Sequence, residues 1–286
     1  AGAGACARTA GGSGSRGTRA PAAEARAGSG LRPAQSSVPA GARLQYWGGR
    51  MLANVKVAIV VWGPGRFPVQ VTSRTAPNAA SFFATVTQSP YFDWLQEYDA
   101  NGTHLGRGSV AGQFTVVPAA ANNRAVLDDA AHLRPELSTQ IRAGRLPPPG
   151  ADTLYVVFTR TGQVVTQGGA DSVTGFCAYH STFRLDRTTA VRYAVIPATA
   201  AGPHCGTAPG FANLTTAASH ELVEAVTDPD VGLAHRVGPP LAWYDPMHGE
   251  IGDICAHVTA TVVGAGGDRY TVQQEWSNRK RRCTAH

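Results

Sequence analysis

No apolar run in this sequence approaches the length of a membrane span, so no spanning helix is expected. There is also no C-x-x-C pair and no Cys/His spacing of a structural zinc site, which turns the cysteines toward disulfide use. Charged residues are few, 15% of 286, and the formal net charge is +6. Most of that excess lies at one end: Arg8, Arg16, Arg19, Arg26 and Arg32 stand against Glu24, a net of +4, which leaves +2 for everything after them. A nucleic-acid footprint needs a basic patch interleaved with aromatics on the folded part. The one candidate, Arg279-Lys280-Arg281-Arg282, reads as a solvated end beside Cys283, so no nucleic-acid partner is expected.

Large apolar side chains are almost missing from residues 1–42, which are Ala, Gly, Ser, Pro and Arg. Such a stretch cannot bury enough surface to offset the entropy of ordering, and it is expected to be a disordered tail. Cys6 within it has the position of a remnant of processing or lipid attachment. The chain begins without methionine or an intact signal peptide, as a processed or partial product would, with any export signal lying upstream. Residues 43–286 show no repeat and no internal linker, and one monomeric domain is the simplest expectation.

What is present points to a mixed α+β (α/β) fold. Asn54–Gly63, Gly106–Val117, Asp152–Thr159 and Val191–Pro197 carry β-branched apolar runs and read as strands. Asn78–Tyr98, interrupted near Pro90, and Arg124–Gly144 read as helices. A central mixed sheet with covering helices follows, and then an irregular C-terminal segment. The remaining cysteines, Cys177, Cys205, Cys255 and Cys283, are expected to pair in sequence. Each bridge is worth roughly 3–4 kcal/mol on chain-entropy grounds, in an oxidising compartment only. A secreted, extracellular protein is the corresponding expectation.

Chemistry gathers in Ser219–Pro229, where ionisable residues interrupt an apolar helical pattern. Leu214, Ala218, Leu222 and Ala225 fall on one face, with His220, Glu221, Glu224 and Asp228 on a stripe beside it. His220 and Glu224 are one helical turn apart, so both can reach a single ion, with Glu221 next to it as general base. This is zincin geometry written H-E-x-x-E, and the carboxylate at the second position suits zinc while moving the site toward calcium. A third ligand is expected from the downstream turn, where Glu250 and Asp253 lie. His180, as ligand or acid, and Tyr244, as donor to a developing oxyanion, complete the candidate set.

Several of these stretches resemble the phosphate-induced protein 1, or EXORDIUM-like, family: Leu44–Gly49 with Val61-Trp62-Gly63, Phe176-Cys177-x-x-His180, Glu250-Ile251-Gly252-Asp253-x-Cys255, and Trp276-Ser277-Asn278 before Cys283. The resemblance spans most of residues 44–283 and implies export and a shared fold; the H-E-x-x-E helix is implied for bacterial-type members. Two function classes remain open. One is a secreted metal-dependent hydrolase, peptidase-like, acting on an extracellular polypeptide or cell-wall polymer. The other is a non-catalytic binding or signalling module with a structural cation site.

Overall fold

A computed structural model of the chain describes residues 39–286. The expected tail disorder over residues 1–38 and the role of Cys6 lie outside the described residues. Ala42 already packs against the main core, so the domain begins a residue earlier than the composition suggests.

The run Lys56–Trp62 forms strand β1, buried at every position after Lys56. A strand buried on both faces must be apolar throughout rather than alternating, which is what made it legible. It pairs in parallel with β2 (Ser109–Val116) on one side and β3 (Thr153–Phe158) on the other. Beyond β3 the sheet is completed by β4 (Tyr179–Arg184) and β5 (Ala190–Ile196) in the order β2-β1-β3-β5-β4, with β4 antiparallel at the edge. Successive side chains point to opposite faces. Val57, Ile59, Val61, Leu154, Val156, Phe158, Ala194 and Ile196 therefore fill the main core, with helix α1 (Ala79–Thr87) against it. Ala58, Val60, Trp62, Tyr155, Val157, Tyr193 and Val195 fill a second core under helix α2 (Arg134–Arg142), through Leu137 and Ile141.

Two expectations are corrected. The single helix over Arg124–Gly144 is instead a strand, Val126–Asp128, then a π-helical turn, Asp129–Leu133, and then α2. Val126–Asp128 pairs with Val164–Thr166, some forty residues on, and a long-range ladder of that kind leaves no mark on local periodicity. Asp128 then accepts from the Ala131 N–H at 2.8 Å and starts the helical part. The C-terminal segment is likewise not irregular. It follows the central helix α3 (Phe211–Thr227) as two hairpins, β6 (Thr259–Val263) with β7 (Arg269–Gln273), and β8 (Glu275–Ser277) with β9 (Arg282–Thr284).

α3 explains the second correction. It is buried from Asn213 to Thr227 without a break, rather than presenting one apolar stripe. A helix in that position needs cover on all sides. β4 and β5 supply it on one side, and β7, whose Gln273 N–H donates to Ser219 Oγ at 2.8 Å, supplies it on the other.

The disulfides are Cys177–Cys205 and Cys255–Cys283, as sequential pairing predicts. The second ties the turn that follows Glu250 to β9. Replacing Cys255 and Cys283 together by serine is expected to cost roughly 3–4 kcal/mol of unfolding free energy. Denaturant titration reads this directly, and a loss under about 1 kcal/mol would contradict the role given to the bridge.

Candidate metal centre

Three elements converge on α3. The helix itself contributes His220, Glu221 and Glu224 from consecutive turns. It ends where Asp228 precedes Pro229, since the residue before proline is driven out of the helical region. β4 contributes His180: its neighbours Tyr179 and Phe183 face the second core, so alternation turns His180 to the opposite face, where α3 packs. His180 thus stands on a strand within the loop that the Cys177–Cys205 bridge closes. The turn Gly249–Asp253 contributes Glu250. Asp253 Oδ2 accepts from the Glu250 N–H at 3.1 Å, and the Asp253 N–H donates to Glu224 Oε1 at 3.2 Å, so the turn wraps the helix at the ligand positions.

The distances between the groups are short. His220 Nε2 lies 3.1 Å from Glu224 Oε1 and 4.0 Å from Glu221 Oε1. His180 Nδ1 lies 3.3 Å from Glu221 Oε2 and 3.5 Å from Glu224 Oε2, and its Nε2 is 3.4 Å from Glu250 Oε1. His180, His220, Glu221, Glu224 and Glu250 are each no more than 5% exposed. Two sets of donors are close enough to share an ion, all atoms of each within 4.8 Å: His180, Glu224 and Glu250, and His220, Glu221 and Glu224. Cys177, His204 and Cys205 also cluster, but both sulfurs are spent in the disulfide.

Burial shapes the electrostatics. It pushes Glu250 well above the usual carboxylate range, and it pushes Asp228 and Glu275 up to about 8. Burial, with the neighbouring Glu224 charge, also raises Glu221 against the pull of the two imidazoles. Glu224 behaves differently: burial works against its charge, but His220 and His180 on either side outweigh it and bring the carboxylate down to about 2. Both imidazoles, which burial would drive neutral, are held well above their ordinary value by the surrounding carboxylates. Packing this many ionisable groups away from water is costly unless a cation balances them. Glu250 Oε1 and Asp228 Oδ2 are buried without a hydrogen bond, which is the condition of atoms placed for an ion.

Of the sequence candidates, His220, Glu221, Glu224, Glu250 and His180 come together. Asp253 is in neither donor set; its carboxylate braces the Glu250 backbone. Tyr244 packs with Val231, Ala234 and Leu241 in a small apolar cluster, and its carbonyl oxygen accepts from Trp47 Nε1 at 2.9 Å.

Sequence reasoning missed Gln273 and Glu275. The Gln273 amide Nε2 is 2.8 Å from His220 Nδ1 and donates to the Gly252 carbonyl at 2.9 Å, so β7 orients the imidazole. Glu275 accepts from the Tyr91 hydroxyl at 2.9 Å. Only the hairpin pairing could have pointed to them, because no local motif marks either residue.

Two predictions follow from this geometry. A Cβ on Gly252 would stand 2.6 Å from His220 Nδ1 and 2.9 Å from Glu224 Oε1. Gly252→Ala is therefore expected to push the turn off the helix and weaken metal binding at least tenfold; unchanged affinity by calorimetric titration would refute the close approach. Glu275 supplies the pH test. Its raised pKa means that the folded state keeps a proton the unfolded chain gives up near pH 4.3, so its contribution to stability is lost as pH rises from there through about 8. In chelator-treated protein, Glu275→Gln should match the wild type near pH 5 and exceed its stability at pH 9 by at least ~1.4 kcal/mol, the equivalent of one pKa unit. An equal gap at both pH values would contradict this.

Comparison with known proteins returns no match: no family model, no curated protein and no solved structure matches the chain, so the EXORDIUM-like resemblance rests on its quoted motifs alone.

Proposed function

We propose that the protein is a secreted metal-dependent hydrolase of peptidase type that works with zinc. The observation that carries this reading is the convergence of two imidazoles and three carboxylates, all buried, on one turn of α3. Tetrahedral zinc with bonds of 2.0–2.1 Å sets its ligands about 3.3 Å apart. Three contacts lie near that spacing, His220 Nε2 to Glu224 Oε1 at 3.1 Å, His180 Nδ1 to Glu224 Oε2 at 3.5 Å and His180 Nε2 to Glu250 Oε1 at 3.4 Å. Calcium takes six to eight oxygens, and the imidazole in each donor set suits it poorly.

His220 and Glu224 hold the ion in this reading. His180 and Glu250 stand across from them as the source of a further donor. When bound, zinc polarises the scissile carbonyl and makes water acidic enough to react near neutral pH. Glu221, set back at 4.0 Å from His220 Nε2 against 3.1 Å for Glu224, accepts the proton of the attacking water. It then delivers that proton to the leaving nitrogen as the C–N bond breaks. The two disulfides, with no helix among the described residues long and apolar enough to cross a membrane, support an oxidising, extracellular setting.

The depth of burial favours a second reading, a structural cation site in an extracellular binding module, which needs no path for substrate. Incubating zinc-loaded protein with a mixed peptide library separates the two. Chelator-sensitive cleavage supports the hydrolase, and bound zinc with no cleavage of any peptide supports the structural site.

A further inference from the structure

The two donor sets share one residue, Glu224, and place the two imidazoles in different sets. The Glu224 carboxylate is turned so that Oε1 faces His220 Nε2 at 3.1 Å while Oε2 faces His180 Nδ1 at 3.5 Å. This is the posture of a bridging carboxylate. An ion held at His220 and Glu224 Oε1 would leave the far side of the cluster unserved. There Glu250 Oε1 is buried, with no hydrogen bond, 3.4 Å from His180 Nε2, and Asp228 Oδ2 is buried and orphaned as well.

We propose that the centre holds two divalent cations rather than one, the second seated among His180, Glu224 Oε2 and Glu250, with Glu224 as the bridge. The proposal rests on the reading of His220 and Glu224 as the first ion's site, and it assigns His180 and Glu250 to an ion of their own. Formal charge permits it. Glu221, Glu224 and Glu250 offset three of the four charges of two divalent ions when ionised, and the buried Asp228 and Glu275 carboxyls can balance the rest by releasing their protons as the ions bind. Two ions about 3.5–4 Å apart are a recurring arrangement for hydrolytic displacement, because one can serve the attacking oxygen and the other the leaving group. His180 matters most to the argument. As a lone acid, an imidazole flanked by Glu221, Glu224 and Glu250 would be locked in ion pairs, whereas as a ligand its carboxylate neighbours are its companions on the metal.

The test is zinc stoichiometry on the full chain, stripped with chelator, reloaded with zinc and dialysed, together with electron paramagnetic resonance of the manganese(II)-loaded protein. Two zinc ions per wild-type chain are expected, falling to one in Glu250→Gln and in His180→Gln, with an exchange-coupled manganese signal in the wild type alone. Circular dichroism identifies a variant that fails to fold, and the Glu250→Gln chain, which keeps side-chain shape, carries the test in that event. One zinc in the wild type, or two retained in a folded Glu250→Gln chain, would overturn the second site while leaving the first intact. No zinc at all would overturn the first site along with it.

Discussion

Glu224→Ala is expected to strip the protein of bound metal and to lower its melting temperature by roughly 10 °C when zinc is in excess. The size follows from linkage: a ligand present at a thousand times its dissociation constant stabilises the folded state by about 4 kcal/mol, and a domain of this length shifts by about 2–4 °C for each kcal/mol. Loss of Glu224 removes the carboxylate common to both donor sets, with Oε1 at 3.1 Å from His220 and Oε2 at 3.5 Å from His180. His220→Ala should behave alike. The sharper expectation concerns the same variants under chelator. Without the ion, Glu224 still pairs with His220 and His180, which hold its carboxylate down to about 2, so deleting it keeps a cost of its own while the contribution of the metal is gone. The gap between wild type and Glu224→Ala should therefore narrow sharply in chelator. A gap of the same size with and without zinc would make Glu224 an ordinary packing residue.

Glu221→Gln carries the second large effect. An amide keeps the shape of the side chain but cannot take a proton, so the variant should retain its first-site metal and its melting temperature while losing at least a hundredfold in peptide hydrolysis. Glu221 Oε1 stands 4.0 Å from His220 Nε2, farther than the 3.1 Å of Glu224, which is the geometric ground for separating base from ligand. Release of the ion from His220 and Glu224 in this variant would show that Glu221 coordinates it, and full activity would remove it from the mechanism.

The parts of this protein that could be read from its sequence are those where local pattern and final environment agree. Val57–Trp62 is apolar at every position because both faces of its strand are covered, and its run signals that directly. His220, Glu221 and Glu224 were legible because a single helix fixes their spacing, whatever packs around it. His180 and Glu250 were legible as residues and not as partners. Nothing local says that β4 turns its even-numbered side chains toward α3, or that the Asp253 N–H pulls the Glu250 turn onto Glu224. Gln273 shows the limit most clearly. It meets His220 because β7 lies along a helix more than fifty residues upstream, and that pairing exists only once the C-terminal hairpins form over α3. The same long-range order turned Val126–Asp128 into a strand where local composition favoured a helix.

The central claim is that the buried cluster around α3 exists to hold a divalent cation. Element-specific mass spectrometry of the full chain, dialysed against metal-free buffer after purification without chelator, tests it most directly. Zinc at one or more equivalents per chain, lost in Glu224→Ala, is the predicted result; a wild-type chain that is folded, metal-free and unchanged in melting temperature by added zinc would contradict it.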